Sequence, residues 1–527
     1  MKRVLLRGVL SASIMGLAVA PLAVPAGAKP ADPNAVATTT PIKHLVVIFQ
    51  ENVSFDHYFG TYPSATNPAG EPAFHAKKDT PTVNGLNAAL LQHNPNSSNP
   101  QRLDRTQNQT CDQDHDYTHE QTAFDNGLMD KFPETLGATG SQGGTSCASS
   151  QVMDYYDGNT VTALWNYAQN FAMSDNSYGT GFGPSSPGAI NLISGNTFGA
   201  TCGKLSDEVY GPVAACPAAP GTATPGSPAA QGAGTVFGDP QPLFDKCDTR
   251  GTAAMGGRNA GDLFGGGITW GWFQGGFDNC NAAHTAIGAP APKKDYIPHH
   301  QPFQYYPQTA NPQHLAPSSA ALIGHDDRAN HQYDLTDFWT AANSGNLPAV
   351  SYLKAPGYQD GHAGYSGPLD EQAFLVNTIN QLQQLDTWKS TAVVIAYDDS
   401  DGWYDHQMSP ILMQSQTSVD SLTGARKCGS NAAKVPSGPS GPQQARCGYG
   451  PRLPLLVISP YARENFVDHT LSDQSSILRF IEDNWSLGRV GNGSADGLAG
   501  SLDSMFDFSH RNDGKVLLDP ASGQPLE

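Results

Sequence analysis

Two apolar runs set far apart in the chain each stop abruptly at a pair of polar groups. The first ends His44-Leu45-Val46-Val47-Ile48-Phe49-Gln50 and is followed by Glu51-Asn52. The second is Thr391-Ala392-Val393-Val394-Ile395-Ala396-Tyr397, followed by Asp398-Asp399. Short runs rich in β-branched residues read as buried strands. In open α/β sheets ligands gather outside the carboxyl ends of the strands, where both polar pairs would sit. Either pair alone is an ordinary loop in water; two such pairs constrain the fold and the chemistry together.

The rest of the pattern agrees. Residues 162–168 and 371–385 carry apolar residues at helical spacing, and 475–485 closes as an amphipathic helix. Residues 267–273, 348–353 and 453–458 read as further strands. Strands alternating with helices predict an α/β protein built on a doubly wound central sheet with helices on both faces. Residues 42–527 are expected to form one domain, with Gly-, Ala- and Pro-rich loop insertions near 203–261 and 411–450. Before it, 29–41 reads as a flexible leader. Residues 1–28 read as a signal peptide: Lys2, Arg3 and Arg7, an apolar run, then Ala26-Gly27-Ala28. The expected location is secreted or periplasmic, with no transmembrane anchor.

The net charge of −19 excludes nucleic acid as a partner, since binding it needs cationic surface. Eight cysteines without a Cys-x-x-Cys pair predict disulfides in an exported chain. Near neighbours are expected to pair: Cys202 with Cys216, Cys247 with Cys280, and Cys428 with Cys447.

Glu51, Asn52, Asp398 and Asp399 form a set of hard oxygen donors suited to one divalent cation, whose identity the sequence leaves open. Ser185, in Gly183-Pro184-Ser185-Ser186-Pro187-Gly188, is the candidate nucleophile, near a predicted helix N-terminus that favours phosphate-like anions. No Gly-x-Ser-x-Gly elbow is present, which disfavours an α/β-hydrolase serine. His115, His299, His300 and His362 are candidates to bind a phosphoryl group or move a proton. His119-Glu120 lacks the second histidine of a metalloprotease helix.

The blocks Glu51 through Gly60, Gly183 through Gly188, Tyr397 through His406 and Val467-Asp468-His469-Thr470 resemble the bacterial phosphoesterase family of acid phosphatases of the A type and phosphatidylcholine-directed phospholipases C. The resemblance implies an alkaline-phosphatase-like core. It implies Glu51, Asn52, Ser185, Asp398 and Asp399 as metal ligands, Ser185 as nucleophile, and His115, His362 and one of His299 or His300 on the phosphoryl group. The phospholipase C pattern reads Tyr-Asp-Glu-His in the late block, whereas this chain has Tyr397-Asp398-Asp399-Ser400. That departure points to the acid phosphatase branch and a phosphomonoester substrate. Phospholipase C action on a lipid phosphodiester is the alternative within the enzyme class, and an inactive exported binding protein the alternative outside it.

Overall fold

The first apolar run becomes strand β1 (His44–Gln50), buried along its whole length. The computed structural model describes residues 35–526 apart from 143–144, 198–199, 204–251, 266, 312, 417–418 and 431–446. Around β1 lie β2 (Ala172–Ser174), β3 (Trp270–Gln274), β4 (Gln332–Asp334), β5 (Val350–Lys354), β6 (Thr391–Tyr397), β7 (Leu455–Ile458) and β8 (Phe466–Asp468). Together they make an eight-stranded sheet in the order β4-β3-β5-β1-β6-β7-β2-β8. The helices that matter for the site are α1 (Phe55–Phe59), α2 (Tyr117–Phe124), α3 (Thr162–Asn170), α4 (Ser185–Ser194), α5 (Leu335–Asn343), α6 (Pro368–Leu382) and α7 (Gln474–Asn484).

Alternate residues of β1 serve opposite faces. Val46 and Ile48 join the core made with α3, α5 and α6, through Leu164, Phe338, Leu375 and Ile379. Leu45, Val47 and Phe49 pack with α4 and α7, through Ile190, Ile193, Leu478 and Ile481. The expected α/β class, with helices on both faces of the sheet, is what forms.

β1 runs parallel to β5 and β6, its neighbours on either side. The sheet is mixed, however, because β7 runs antiparallel to both β6 and β2. A parallel return needs a crossover, usually helical, and among the described residues between β6 and β7 there is no helix. Apolar patterning gives a strand's burial but not its direction, so this reversal was invisible in it.

The disulfide expectation holds for Cys428–Cys447, with Cα atoms 6.1 Å apart. Cys111 pairs with Cys147, and Cys280 is also disulfide-bonded. The expected Cys202–Cys216 and Cys247–Cys280 pairs fall on residues outside the described side chains, as do the signal peptide and most of the first insertion. No helix among the described residues is long and apolar enough to cross a membrane.

Several polar residues of the early block lock the fold. Ser54 caps α1 by accepting from His57 N, and donates to Tyr404 O at 2.9 Å. Asp56 accepts from Arg452 Nη2 at 2.9 Å and faces His406 Nδ1 at 2.6 Å. Arg452, fully buried, also donates to Asp405 Oδ2 at 3.1 Å. Removing one partner of such a network strands the others in a dry interior, at a cost of about 3–5 kcal/mol.

His57 is buried, stacked 3.9 Å from the Trp403 ring, and burial pushes its pKa down to about 3 from an ordinary 6.5. The unfolded chain therefore binds a proton that the fold refuses between those values. Stability is full above 6.5 and declines as pH falls toward 3, by about 1.4 kcal/mol per unit from this residue. His57→Phe is expected to flatten the dependence of unfolding free energy on pH below 6.5 in urea titrations; an unchanged slope would assign the acid lability elsewhere.

Candidate active site at the carboxyl edge of the sheet

The pairing of β1 with β6 is in register from His44 opposite Thr391 to Gln50 opposite Tyr397. Glu51-Asn52 and Asp398-Asp399 therefore leave the sheet side by side. Backbone bonds bind the two exits together: Asp398 N donates to Gln50 O at 3.2 Å and Val53 N to Asp399 O at 2.9 Å. Asn52 N donates to Asp398 Oδ1 at 2.9 Å, and Asn52 Nδ2 to Asp401 Oδ1 at 2.9 Å. Asn52 does this with φ of 60°, a left-handed turn that Asn tolerates better than most residues.

Ser185 is the first residue of α4 and is buried. Gly188 explains how closely the helix approaches the acids, for a Cβ there would stand 2.1 Å from Asp398 O. The Ser185 hydroxyl faces the Asp399 carboxyl and favours its charge. Glu120, from α2, fastens the loops on both sides. It accepts from Gly183 N at 2.6 Å and from Ser400 Oγ at 3.0 Å. Gln474, at the start of α7, donates to both Tyr397 O and Asp398 O.

The turn that carries His299 and His300 is held against α4, with Ser186 Oγ donating to His299 O at 3.3 Å. His300 is the more deeply buried of the pair, its Nε2 3.2 Å from Glu51 Oε2 and its Nδ1 3.8 Å from Asp360 Oδ2. His299 stands perpendicular to it, ring centroids 4.4 Å apart. His115 and His362 face each other edge to face at 6.3 Å. The structure thus brings every residue singled out in the sequence to one edge of the sheet.

Electrostatics there are dominated by crowded acids. Burial first, then Asp398, raises Glu51 well above the usual range against the pull of Lys354. The same two causes lift Asp399 to about 7. Burial raises Glu120 to about 8. His115 goes the other way from most histidines: burial opposes its charge, but Asp399, Asp401 and Asp112 raise it well above its ordinary value. Burial lowers His299 to about 3, with Lys293, Lys354 and His115 adding to it, and lowers His300 and His362 well below normal.

Several participants were not singled out. Lys354, the last residue of β5, pairs with Glu51 Oε1. Asp360 accepts from His362 N at 3.1 Å, and Asp401 lies 3.6 Å from His115 Nδ1. A lysine ending a buried strand was a readable signal; Asp401 and Glu120 stood inside quoted stretches, and Asp360 two residues before His362, but nothing in the spacing revealed their burial.

The donor set fits a hard divalent cation. Glu51 Oε2, Asn52 Oδ1, Asp398 Oδ2 and Asp399 Oδ2 are buried without a hydrogen-bond partner, where such atoms are normally satisfied. The three acids are not drawn within 4.8 Å of one another. Groups that tight among the described residues are Asp56/Asp405/His406, Asp112/His115/Asp401 and Asp114/Asp116/His119. Lys354 holds one oxygen of Glu51.

The Phosphoesterase family model matches residues 42–488. The chain is 23% identical over 487 residues to a non-hemolytic phospholipase C of Pseudomonas aeruginosa, covering 89% of this chain and 58% of that protein. To phospholipase C A of Mycobacterium tuberculosis it is 24% identical, covering 89% and 78%. A non-hemolytic phospholipase C of Burkholderia pseudomallei is 32% identical over 190 residues, 34% of this chain and 26% of that one. The chain thus spans little more than half the length of the first of these relatives. An alkaline phosphatase superfamily protein of Vibrio parahaemolyticus, 10% identical over 63% of each chain, superposes with a TM-score of only 0.28, too low to carry an argument.

Divalent cation added to chelator-treated protein is expected to raise Tm and to bind by calorimetry. Asp398→Asn and Glu51→Gln should each weaken that binding by about a hundredfold or more. Unaltered affinity in both variants would place the cation among other residues, with Asp112, His115 and Asp401 next to be tested.

Proposed function

The chain belongs to the Phosphoesterase family, and from that premise we propose that it hydrolyses phosphoric esters, with Ser185 as nucleophile and Glu51, Asn52, Ser185, Asp398 and Asp399 holding one divalent cation. The observation that carries this reading is the ring of buried, unpartnered oxygens on Glu51, Asn52, Asp398 and Asp399 beside the helix that begins with Ser185. A cation bound there would supply Lewis-acid stabilisation and a lowered hydroxyl pKa.

Ser185 Oγ attacks phosphorus in line with the leaving oxygen. The bond from phosphorus to the leaving group breaks as the serine ester forms, and water then displaces Ser185 to release the phosphoryl product. His115 Nδ1 donates to Gln113 O at 2.8 Å, and although burial opposes its charge, the acids around it favour it, which turns Nε2–H toward donation to a phosphoryl oxygen. His362 is neutral, and its Nδ1–H faces Ala363 O at 2.7 Å. That tautomer presents a bare Nε2, an acceptor suited to orienting the hydrolytic water. His299 and His300 line the same space as neutral imidazoles. Glu120 holds the turns that carry Ser185 and Asp399.

The relatives are phospholipases C, and this favours a lipid phosphodiester over the phosphomonoester expected from Ser400. One observation keeps the monoester reading in play: the Ser400 hydroxyl is spent on Glu120, where the phospholipase C pattern supplies an imidazole. The basic and apolar start of the chain supports export. An inactive binding protein has no need of a buried nucleophile against a set of unpartnered acids.

Ser185→Ala is expected to lower kcat by about 10⁴-fold or more while circular dichroism and Tm are retained. Hydrolysis at the wild-type rate in that variant would eliminate Ser185 as nucleophile. Phosphatidylcholine and a phosphomonoester, assayed side by side, separate the two substrate readings by which shows the higher kcat/KM.

A further inference from the structure

Lys293 is a cation beside this site to which the reaction above gives no task. It opens a two-residue strand (Lys293–Lys294) paired antiparallel with Ala283–His284, Lys293 opposite His284. The hairpin is pressed against the turn that precedes Asp360. Gly357 N donates to Asp295 O at 2.9 Å. A Cβ on Gly357 would stand 2.5 Å from Lys294 O and 3.2 Å from Lys293 Cγ. The stem of Lys293 is therefore seated, not loose.

Its half-buried side chain ends with Nζ 3.6 Å from the centroid of the Tyr365 ring. Among the described residues this ammonium makes no hydrogen bond or ion pair, so its three N–H donors are available. Tyr365 is itself part of the site's wall. Its ring stacks on His362 at 4.4 Å, and its hydroxyl donates at 3.2 Å to Asp360 Oδ2, the carboxylate facing His300. The charge of Lys293 is felt by Glu51, Asp112 and Asp360 and by all three neutral histidines of the site. Lys354, by contrast, is consumed by Glu51.

A phosphomonoester carries a second negative charge near neutral pH that a phosphodiester lacks. An aromatic face attracts one cation, and a cation already on it repels another. We propose that Lys293 is a substrate-binding residue that takes up the second charge of a phosphomonoester dianion, and that its ammonium on the Tyr365 face keeps a quaternary ammonium headgroup away from that face. The inference rests on the reading of the Ser185 site as a phosphoric ester hydrolase, and within it sets this chain apart from the lipid phosphodiesters that its relatives favour.

The test uses the full chain with its metal at neutral pH, as wild type, Lys293→Met and Lys293→Arg. The probes are para-nitrophenyl phosphate, bis(para-nitrophenyl) phosphate and para-nitrophenylphosphocholine for turnover, and inorganic phosphate for calorimetry. Lys293→Met is expected to raise KM for the monoester and weaken phosphate binding by about ten- to a hundredfold, the range of a lost charged hydrogen bond. Its kcat for the monoester and its kcat/KM for the bis ester should change far less, and its kcat/KM for the choline ester should rise. Lys293→Arg keeps the charge and should recover phosphate affinity. Equal losses on monoester and diester, or the same phosphate affinity in wild type and Lys293→Met, overturns the proposal. If wild type hydrolyses none of the esters, the activity reading has failed, yet calorimetry still decides. Phosphate binding lost only in Lys293→Met supports the lysine's role, and no binding to wild type overturns it.

Discussion

The feature on which the rest depends is the in-register pairing of β1 with β6, which delivers acidic chain ends to one dry place. Glu51, Asp398 and Asp399 are each at most 2% exposed. Bringing buried carboxylates together costs far more than a surface cluster, because neither water nor salt screens them. Two kinds of compensation are visible. Protein cations answer part of the charge, with Lys354 on Glu51 and a protonated His115 between Asp399, Asp401 and Asp112. The remainder is left as raised carboxyl pKa values and oxygen atoms without donors. A core that leaves acceptors unsatisfied in this way is keeping them for something other than stability.

The surrounding structure is built to prevent those acids from relaxing apart. Gly188 lets α4 touch the backbone of Asp398, and Gln474 ties the same backbone to α7. Glu120 joins the turn before Ser185 to the turn after Asp399. Behind them, Asp56, Asp405 and Arg452 weld the loop after β1 to the loop after β6. That cluster has the spacing of a metal site, but its oxygens face an arginine that fills the cationic place. Its contribution is to hold two loops at one separation, and the spacing of Glu51 from Asp398 and Asp399 follows from it.

How much of this the chain disclosed depends on the kind of information. Burial and element type were legible, since β6 begins and ends where its apolar run does. The strand ends were legible as chemistry because a polar pair after a buried strand has only one edge of a sheet to occupy. In the sequence Asp56 and His57 are as polar as Glu51 and close beside it. Only their partners, Arg452 and Trp403, hundreds of residues away, mark them as structural. Strand direction was hidden as well, because β7 is as apolar as β1 and β6, which run parallel to each other. Asp360 and Lys293 escaped for a related reason. Their importance lies in what they face, and facing is a property of the fold.

On the proposed reading, a chain with a net charge of −19 has to admit an anion at this edge. Overall charge governs the distant field, which salt screens within about 10 Å, whereas the cleft is governed by whatever lies inside that length. Inside it, Lys354, His115 and Lys293 oppose the acids, and Lys293 combines a charge with three donors that nothing in the described fold has claimed. The acids need cations to coexist, and the same cations would give the phosphoryl group of the proposed substrate a reason to enter. Acid crowding and anion binding are then one arrangement seen from two sides, with the unpartnered oxygens of Glu51, Asn52, Asp398 and Asp399 on one side and the ammonium over Tyr365 on the other.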